Sequence, residues 1–172
     1  MVLSDDLKWN YYTDFIVDKC MTRIWIIRRL RKLSLDDSFL YDLFIKEIRS
    51  VLGYGAPIWN GNLSETNSDK IEQIQKRVLK IILSHRYTSY EDACEHFGTV
   101  TLKQRREILC IRFARKDFKK DASIFRKFQP KFTSRSSGKK VVEEIFCYTD
   151  HYFNSSIPYL ARLLNKHGLG NA

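Results

Sequence analysis

The chain has 172 residues, with 30 Lys and Arg against 20 Asp and Glu, which gives a net charge of +10. This length fits one domain, or a helical domain with an appendage, and can bury roughly two thirds of the unfolded surface. The positive charge favours an acidic partner such as nucleic acid or an anionic membrane. No apolar run approaches the ~20 residues that a transmembrane helix needs.

The start of the sequence has neither the basic nor the apolar segment of a signal peptide. The four cysteines are scattered and form no C-x-x-C pair, so reduced thiols are expected rather than a disulfide framework. We therefore expect an intracellular protein, nuclear or cytoplasmic, that is neither secreted nor anchored across a membrane.

A long first helix is predicted from about Leu7 to Leu33, because apolar residues recur there at helical spacing. Between residues 19 and 32 the sequence carries six basic side chains and no acid. Arg28, Arg29 and Lys32 project away from the apolar side, as a phosphate-facing surface requires. Arg23 falls among the apolar residues, so either its stem lies along the core or it has a partner. The residues expected to share the apolar side are Trp9, Tyr12, Phe15, Ile16, Cys20, Ile27 and Leu30.

A second helix is predicted to begin at a Ser34 cap, with the carboxylates of Asp36 and Asp37 in its first turn. Its expected apolar face consists of Leu40, Leu43, Phe44, Ile48 and Val51. The segment 53–57 contains two glycines and a proline and should end this helix. Ile58 and Trp59 then follow as expected apolar anchors.

A third helix is predicted from Asn67 to Leu83. Its expected buried residues are Ile71, Ile74, Val78, Ile81 and Ile82. Lys76, Arg77 and Lys80 fall on the opposite side. One side of this helix should pack while the other offers positive charge.

Two capping boxes of the S/T-x-x-E/Q form follow, at 88–91 and 101–104. The first should open a short helix that closes at Gly98, and the second a helix reaching about Lys120. Residues 103–120 contain eight basic and two acidic side chains, which suggests a second electrostatic track. Its expected contacts are Arg105, Arg106, Arg112 and Lys116.

The remainder of the chain is predicted to be less regular. Residues 122–142 contain six basic side chains, no acid, Pro130 and the run TSRSSG at 133–138, so we expect an exposed linker or arm. Residues 141–148 could form a strand or a helix. A final helix is predicted over 155–164, with Pro158 in its first turn. The fold is therefore expected to be mainly α.

No catalytic or metal-binding constellation is recognised. The acidic pairs Asp5-Asp6 and Asp36-Asp37 lie where helices begin, and favouring the helix dipole explains them better than Mg²⁺ binding. Cys94 with His96, and Cys147 with His151, do not supply four zinc ligands. There is no P-loop, no G-x-S-x-G and no G-x-G-x-x-G. An enzyme standing alone is not expected.

Six sequence blocks, in this order, resemble the C-terminal part of reverse transcriptases of non-LTR (LINE-type) retrotransposons. They are VLSDDLKW (2–9), RRLRKL (28–33), IRSVLGYGAPIW (48–59), KIEQIQKRVLKII (70–82), TLKQRRE (101–107) and NSSIPYLARLLN (154–165). None of them is a catalytic motif. The sequence departs from the family pattern at Gly55, where Ala or a similar residue is usual, and at His151, where Arg is common.

The resemblance implies a helical thumb-like bundle over residues 1–86, a helical connection over 87–121, and a basic, partly irregular extension over 122–172. In such enzymes the fingers, the palm and the Tyr-x-Asp-Asp turn that holds Mg²⁺ precede these blocks and have no counterpart here. The resemblance therefore implies a catalytically incomplete fragment without a cofactor, related to RNA-directed DNA polymerases. Its partner would be an RNA–DNA hybrid or RNA, bound without sequence preference.

The nucleic-acid contacts expected on this view are Arg28, Arg29, Lys32, Lys76, Arg77, Lys80, Arg105, Arg106, Arg112 and Lys116. One alternative is a structural or protein-interaction module that self-associates, or docks a missing palm and fingers, through exposed apolar surface. A weaker alternative is a segment similar to the N-terminal part of an AlkB-type tRNA-modifying protein, whose iron ligands have no counterpart here.

Overall fold

A computed structural model describes residues 9–120, 123–126, 142–143 and 145–168. The described residues form helices and connecting turns without a β-strand, which confirms the mainly α prediction. The helices are α1 (Asn10–Lys32), α2 (Asp37–Phe44), α3 (Ser50–Gly53), α4 (Ala56–Trp59), α5 (Glu65–Leu83), α6 (Tyr90–His96), α7 (Leu102–Phe118), α8 (Asp150–Phe153) and α9 (Ser156–His167).

The described residues divide into two compact units. The first comprises 9–54 and Leu63–Arg105, and the second comprises Gly55–Asn62 together with the described residues from Arg106 onward. These boundaries differ from the expected ones after residues 86 and 121. They differ because α4 packs on α9, so a short internal segment joins the C-terminal elements.

The core of the first unit lies between α1, α5 and the helix that runs from α2 to α3. Its buried apolar residues include Ile16, Cys20, Ile24, Ile27, Leu40, Phe44, Ile48, Leu52, Ile71, Ile74, Val78 and Ile82. A second apolar cluster joins α5 to α6 through Leu79, Leu83, Tyr90, Ala93 and Cys94. Phe15, expected in the core, is instead half exposed, because it lies at the edge of the buried stripe of α1.

A π-helical turn, Ile45–Arg49, joins α2 to α3. A π-turn inserts one extra residue, which shifts the phase of the helix that follows. The buried row therefore continues to Leu52, which is fully buried, and not to Val51, which is only half buried. The predicted apolar face was wrong at this position for that reason.

The helix starts follow local capping chemistry. Asp36, not Ser34, caps α2, and its carboxylate accepts from the Ser38 amide at 3.1 Å. Ser89, not Thr88, caps α6. The predicted 101–104 box is confirmed, because the Thr101 hydroxyl and the Gln104 side chain each bond the other residue's amide at 3.2 Å.

The carboxylate of Glu72 on α5 accepts hydrogen bonds from residues of both α6 and α7 and so links the three helices. Its carboxylate accepts hydrogen bonds from the amides of Leu102 and Lys103 at 2.9 and 3.0 Å. The Tyr90 hydroxyl also donates to it, and Gln75 donates to that hydroxyl at 2.9 Å. A carboxylate at a helix start satisfies free amides and favours the dipole, so Glu72 fixes where α7 begins.

The second unit is built on the fully buried Trp59 of α4. Asn60, the next residue, donates from Nδ2 to the Tyr159 hydroxyl at 2.8 Å, which attaches α4 to α9. Gly61 allows close approach, because a Cβ there would lie 2.3 Å from the Asn154 carbonyl oxygen. Ile58, expected as an anchor, is exposed.

The last predicted helix is confirmed by α9, which contains Pro158 in its first turn. The described residues of the segment 141–148 form neither a strand nor a helix. Most of the predicted arm at 122–142 lies outside the described residues.

The phase shift at the π-turn predicts different costs for two neighbouring truncations. Leu52→Ala should lower the free energy of unfolding by about 2–5 kcal/mol, because it leaves a cavity in the core. Val51→Ala should cost about 1 kcal/mol or less, because Val51 is only half buried. Chemical denaturation of both variants measures the difference, and an equal or reversed pair of values would contradict the π-turn.

Candidate nucleic-acid interface

Helices α1 and α5 run parallel and in register. Three side-chain contacts join them, each between residues 56 or 57 positions apart: Asn67 Nδ2 to Asn10 Oδ1 at 2.6 Å, Lys70 Nζ to Asp14 Oδ1 at 2.7 Å, and Arg77 Nη1 to Met21 Sδ at 3.5 Å. A constant offset along two helices is possible only if both run in the same direction. By this offset Leu83, the last residue of α5, lies level with Ile27, so α1 extends about 7 Å beyond the end of α5, at about 1.5 Å per residue.

The same register assigns neighbours beyond the last of these contacts. On α1, steps of three or four residues lead from Met21 to Trp25, Arg28 and Lys32, which keeps all four on the side facing α5. On α5, the equivalent step leads from Arg77 to Lys80. Five exposed cations meet at this end of the helix pair, and we call them the basic cluster: Arg28, Arg29, Lys32, Arg77 and Lys80.

The basic side chains near the start of α5 form ion pairs, whereas those of the basic cluster do not. Near the start of α5 the basic side chains are paired, Lys70 with Asp14 at 2.7 Å and Lys103 with Glu65 at 3.0 Å. Among the described residues, no carboxylate forms an ion pair with a member of the basic cluster. The sequence has no acid in 19–32 or in 73–83. The five cations of the basic cluster therefore have no ion-pair partner within the described residues, whereas Arg31 in the last turn of α1 pairs with Asp37.

Trp25 adds an aromatic side chain to the basic cluster. Its indole is 54% exposed, and the Arg29 guanidinium lies 4.6 Å from the ring centroid. A cation held over an exposed ring presents charge and a flat apolar face together. The sequence interpretation missed this residue, although its three-residue step to Arg28 was a usable signal.

Two basic residues of α1 and α5 have other roles. Arg23, which the sequence placed among apolar residues, has a partner: it donates to the Glu47 carbonyl, and its Nη1 lies 3.6 Å from the Glu47 carboxylate. Lys76 is half buried, with its ammonium 5.1 Å from the centroid of the Tyr90 ring. Lys76 therefore faces α6 and lies apart from the basic cluster.

The expected contacts on α7 separate into different environments. Arg106 is only 1% exposed, its Nε donates to Asn60 Oδ1 at 2.9 Å, and its guanidinium lies 5.9 Å from the Trp59 ring centroid. Its prediction as a phosphate contact was wrong, because it packs inside the second unit. Arg105 is half buried in the first unit. Arg112 and Lys116 are exposed and lie one turn apart on α7.

Asp36 and Asp37, one of the two acidic pairs that the sequence assigned to helix starts, lie at the start of α2. The other pair, Asp5-Asp6, lies outside the described residues. Hydrogen bonds from the Ser38 hydroxyl and amide lower the pKa of Asp36. Asp37 accepts from Arg31 at 2.7 Å and also pairs with Arg86. In the described ranges no group of three or more His, Cys, Asp or Glu side chains is placed to hold a metal ion.

The buried thiols are not activated. Burial raises the pKa of Cys20 to about 11 and that of Cys110 to about 12, and it also raises the pKa of Cys94. A raised pKa lowers the thiolate fraction near neutral pH, and the thiolate is the reactive form. These cysteines act as small apolar residues of the core.

Comparison of the chain with protein-family models, curated proteins and solved structures gives no match. Within the described segments, no helix combines the length and the apolar character needed to cross a bilayer. The resemblance to non-LTR reverse transcriptases therefore depends on the six sequence blocks alone.

The basic cluster predicts an unequal response of Trp25 to charged quenchers. Trp9 and Trp59 are buried, so Trp25 should account for most of the quenchable fluorescence. Iodide should quench it more efficiently than caesium, after normalisation to free tryptophan amide, because positive potential concentrates anions. Stern–Volmer constants at low ionic strength measure the effect.

Trp25→Phe is the control that identifies the emitting residue. Arg28→Gln with Arg29→Gln should bring the normalised iodide and caesium constants towards each other. Equal constants in the unsubstituted protein would mean that no positive potential exists at Trp25.

Proposed function

We propose that the basic cluster binds the sugar–phosphate backbone of an RNA–DNA hybrid or of RNA, without reading its sequence. The single observation that carries this proposal is the uncompensated charge at the C-terminal end of the α1–α5 pair. Lysine and arginine contacts to phosphate supply affinity and position but carry no sequence information. A surface that consists of such contacts can therefore bind nucleic acids of different sequence equally well.

The dimensions of the basic cluster fit this partner. Between the levels of Met21 and Lys32 the cluster extends over about 16 Å, at 1.5 Å per residue along a helix. Successive phosphates of one strand advance by about 3.4 Å along a duplex axis, so several phosphates of a strand fall within that length. By the 56-residue offset, Arg77 and Lys80 lie level with Met21 and Ile24 of α1. Arg28, Arg29 and Lys32 follow further along, so the five cations form one stretch that can follow one strand.

Helix dipoles explain only part of the cluster. Cations near a helix C-terminus gain about 0.3–1 kcal/mol each from the dipole, and Arg29, Lys32 and Lys80 lie in the last turns of their helices. Arg77 lies further from the end of α5, and the dipole does not account for it. The helix dipole also does not explain why acids are absent over about four turns of α1 and about three turns of α5.

Trp25 supports the proposal with a second type of contact. Aromatic side chains beside cationic ones are common in surfaces that bind single strands or RNA, where bases or sugars pack on the ring. Trp25 is exposed and is held beside Arg29, so its ring is available for such a contact.

The proposal agrees with what the sequence resemblance implies. A thumb of a non-LTR reverse transcriptase holds the primer–template duplex by its backbone while the palm performs the chemistry. We accordingly propose a thumb-like fragment of an RNA-directed DNA polymerase that binds nucleic acid in the nucleus or cytoplasm and lacks activity of its own. The AlkB-type alternative gains no support from the described residues.

Neutralising the α5 row should weaken binding of every duplex equally. Arg77→Gln with Lys80→Gln should lower the affinity for an RNA–DNA hybrid and reduce the slope of log K against log salt by about 1 per lost contact. The loss should be the same for hybrids of unrelated sequence. Fluorescence anisotropy over a series of salt concentrations measures both quantities.

The matched control is Lys46→Gln with Lys103→Gln, which removes the same number of positive charges outside the basic cluster. This control should bind almost as tightly as the unsubstituted protein. If both double variants lose the same affinity, total charge and not the basic cluster determines binding, and the proposal fails.

A second candidate function is protein contact through α1. Tyr11, Phe15 and Ile26 of α1 are exposed, and so is Leu33, which follows the helix. A groove of about 400 Å³ lies beside Phe15, and its other lining residues include Tyr12, Val51 and Tyr54. Exposed apolar side chains along one helix are typical of an interface with protein.

Phe15→Ser with Ile26→Ser tests this candidate. If the apolar surface drives self-association, the unsubstituted protein should sediment as an oligomer and the variant as a monomer. A protein that is monomeric at high concentration before substitution would exclude self-association.

A further inference from the structure

Side chains without a hydrogen-bond partner gather beside the loop between α6 and α7. Arg49 Nε, Thr99 Oγ1 and Arg105 Nε are buried atoms of the first unit for which no acceptor is present. Buried donors are nearly always satisfied in folded proteins, and each orphan costs about 1–3 kcal/mol. Three such side chains lie in this region, and the Gln75 Oε1 acceptor beside them also has no partner, so hydrogen-bonding capacity is left unfilled here.

The Val100 carbonyl shows how Arg49 reaches this loop. Arg49 Nη2 and Gln75 Nε2 both donate to the Val100 oxygen, at 3.4 and 3.1 Å. The guanidinium is thereby held beside the residues that precede α7. Thr99 is the neighbour of Val100, and Arg105 lies in the first turn of α7.

The charge in this region is also unbalanced. Arg49 is only 8% exposed, and no carboxylate of the described residues forms an ion pair with Arg49 or Arg105. Burial, and after it the positive charge of the nearby Arg105, lower the pKa of Arg49. Buried arginines are almost always paired, so the buried Arg49, without an anion and with the half-buried Arg105 near it, is unusual.

Glu72 does not compensate these arginines. It is the carboxylate at the start of α7, and its oxygens accept from Tyr90 and from the amides of Leu102 and Lys103. The three donor atoms are buried, but the loop that carries Thr99 lies at the surface. Thr99 and Arg105 are half buried and Val100 is exposed, so solvent reaches this loop.

We propose that Arg49, Thr99 and Arg105 bind a phosphate-type oxyanion beside the start of α7. Guanidinium groups match the oxygens of phosphate with two parallel N–H donors, and the threonine hydroxyl can donate a further hydrogen bond. The phosphate can belong to free inorganic phosphate or to a nucleic-acid backbone, since both present the same oxygens. None of these residues belongs to the basic cluster, so this inference is independent of the proposed function.

The test follows the arginine side-chain NMR signals of the ¹⁵N-labelled full chain while inorganic phosphate is added at pH 7. Phosphate replaces chloride stepwise, so that the ionic strength stays constant. The Nε–Hε signals of Arg49 and Arg105 should shift together and saturate with one dissociation constant. The signals of exposed arginines such as Arg28 and Arg112 should shift less and without saturation.

Arg105→Gln should weaken phosphate binding about tenfold or more, the value expected for loss of one charge-assisted hydrogen-bond donor. Arg112→Gln is the matched control on the same helix and should leave the affinity unchanged. Arg49→Lys keeps the charge but loses the two-pronged donor, and it should also weaken binding. Arg105 is half buried, so its variant remains informative if a variant at Arg49 does not fold.

A short RNA–DNA hybrid in place of phosphate identifies the source of the anion. If the hybrid shifts the same two signals, the backbone phosphate is the ligand, and if only free phosphate does, the site takes the free ion. Both results support the site. A linear, unsaturated response of all arginines, or an unchanged affinity in Arg105→Gln, would overturn it. The double variant Arg77→Gln with Lys80→Gln should have a lower affinity for the hybrid but should retain saturable binding of inorganic phosphate. This difference separates the two proposals.

Discussion

The parallel packing of α1 on α5 is the constraint on which the rest of the first unit depends. Each helix buries an apolar stripe, with Ile16, Cys20 and Ile24 on α1 and Ile71, Ile74 and Val78 on α5. Once these stripes are packed, helical geometry fixes the rows of polar residues on either side of them. The offset of 56 or 57 residues then decides which polar side chains become neighbours.

This register separates two kinds of electrostatic surface. At the N-terminal end of the pair, acids and bases compensate each other through ion pairs such as Lys70 with Asp14. At the C-terminal end, none of the five cations of the basic cluster forms an ion pair with a carboxylate of the described residues. Repulsion among exposed like charges is modest in salt, because the Debye length is about 8 Å at physiological ionic strength. The apolar core can therefore hold the cations together, and a polyanion would convert their repulsion into attraction.

Residues whose position depends on local helix geometry were predicted well from the sequence. The exposure of Arg28, Arg29 and Lys32 follows from helical spacing alone, and the Thr101–Gln104 box involves only neighbours in sequence. The choice between adjacent capping residues was less secure, because Thr88 and Ser89 both precede an acid at a suitable distance.

Residues whose position depends on distant partners could not be predicted. Arg106 has the same local pattern as its exposed neighbours, and only packing against Trp59 and Asn60 shows that it is buried. The π-turn leaves no clear signal in the apolar pattern of the sequence. Val51 was therefore predicted on the buried face, where the structure places Leu52. The orphaned donors of Arg49 and Arg105 also become visible only when α7 is placed beside the end of the π-turn.

The most direct test of the central claim is a map of amide chemical shifts on addition of a short RNA–DNA hybrid. If α1 and α5 present one surface, signals from residues 25–32 and 77–84 should shift together and fit a single dissociation constant. Shifts confined to one of the two helices, or spread evenly over the basic residues of the chain, would contradict the claim that this helix pair forms one nucleic-acid surface.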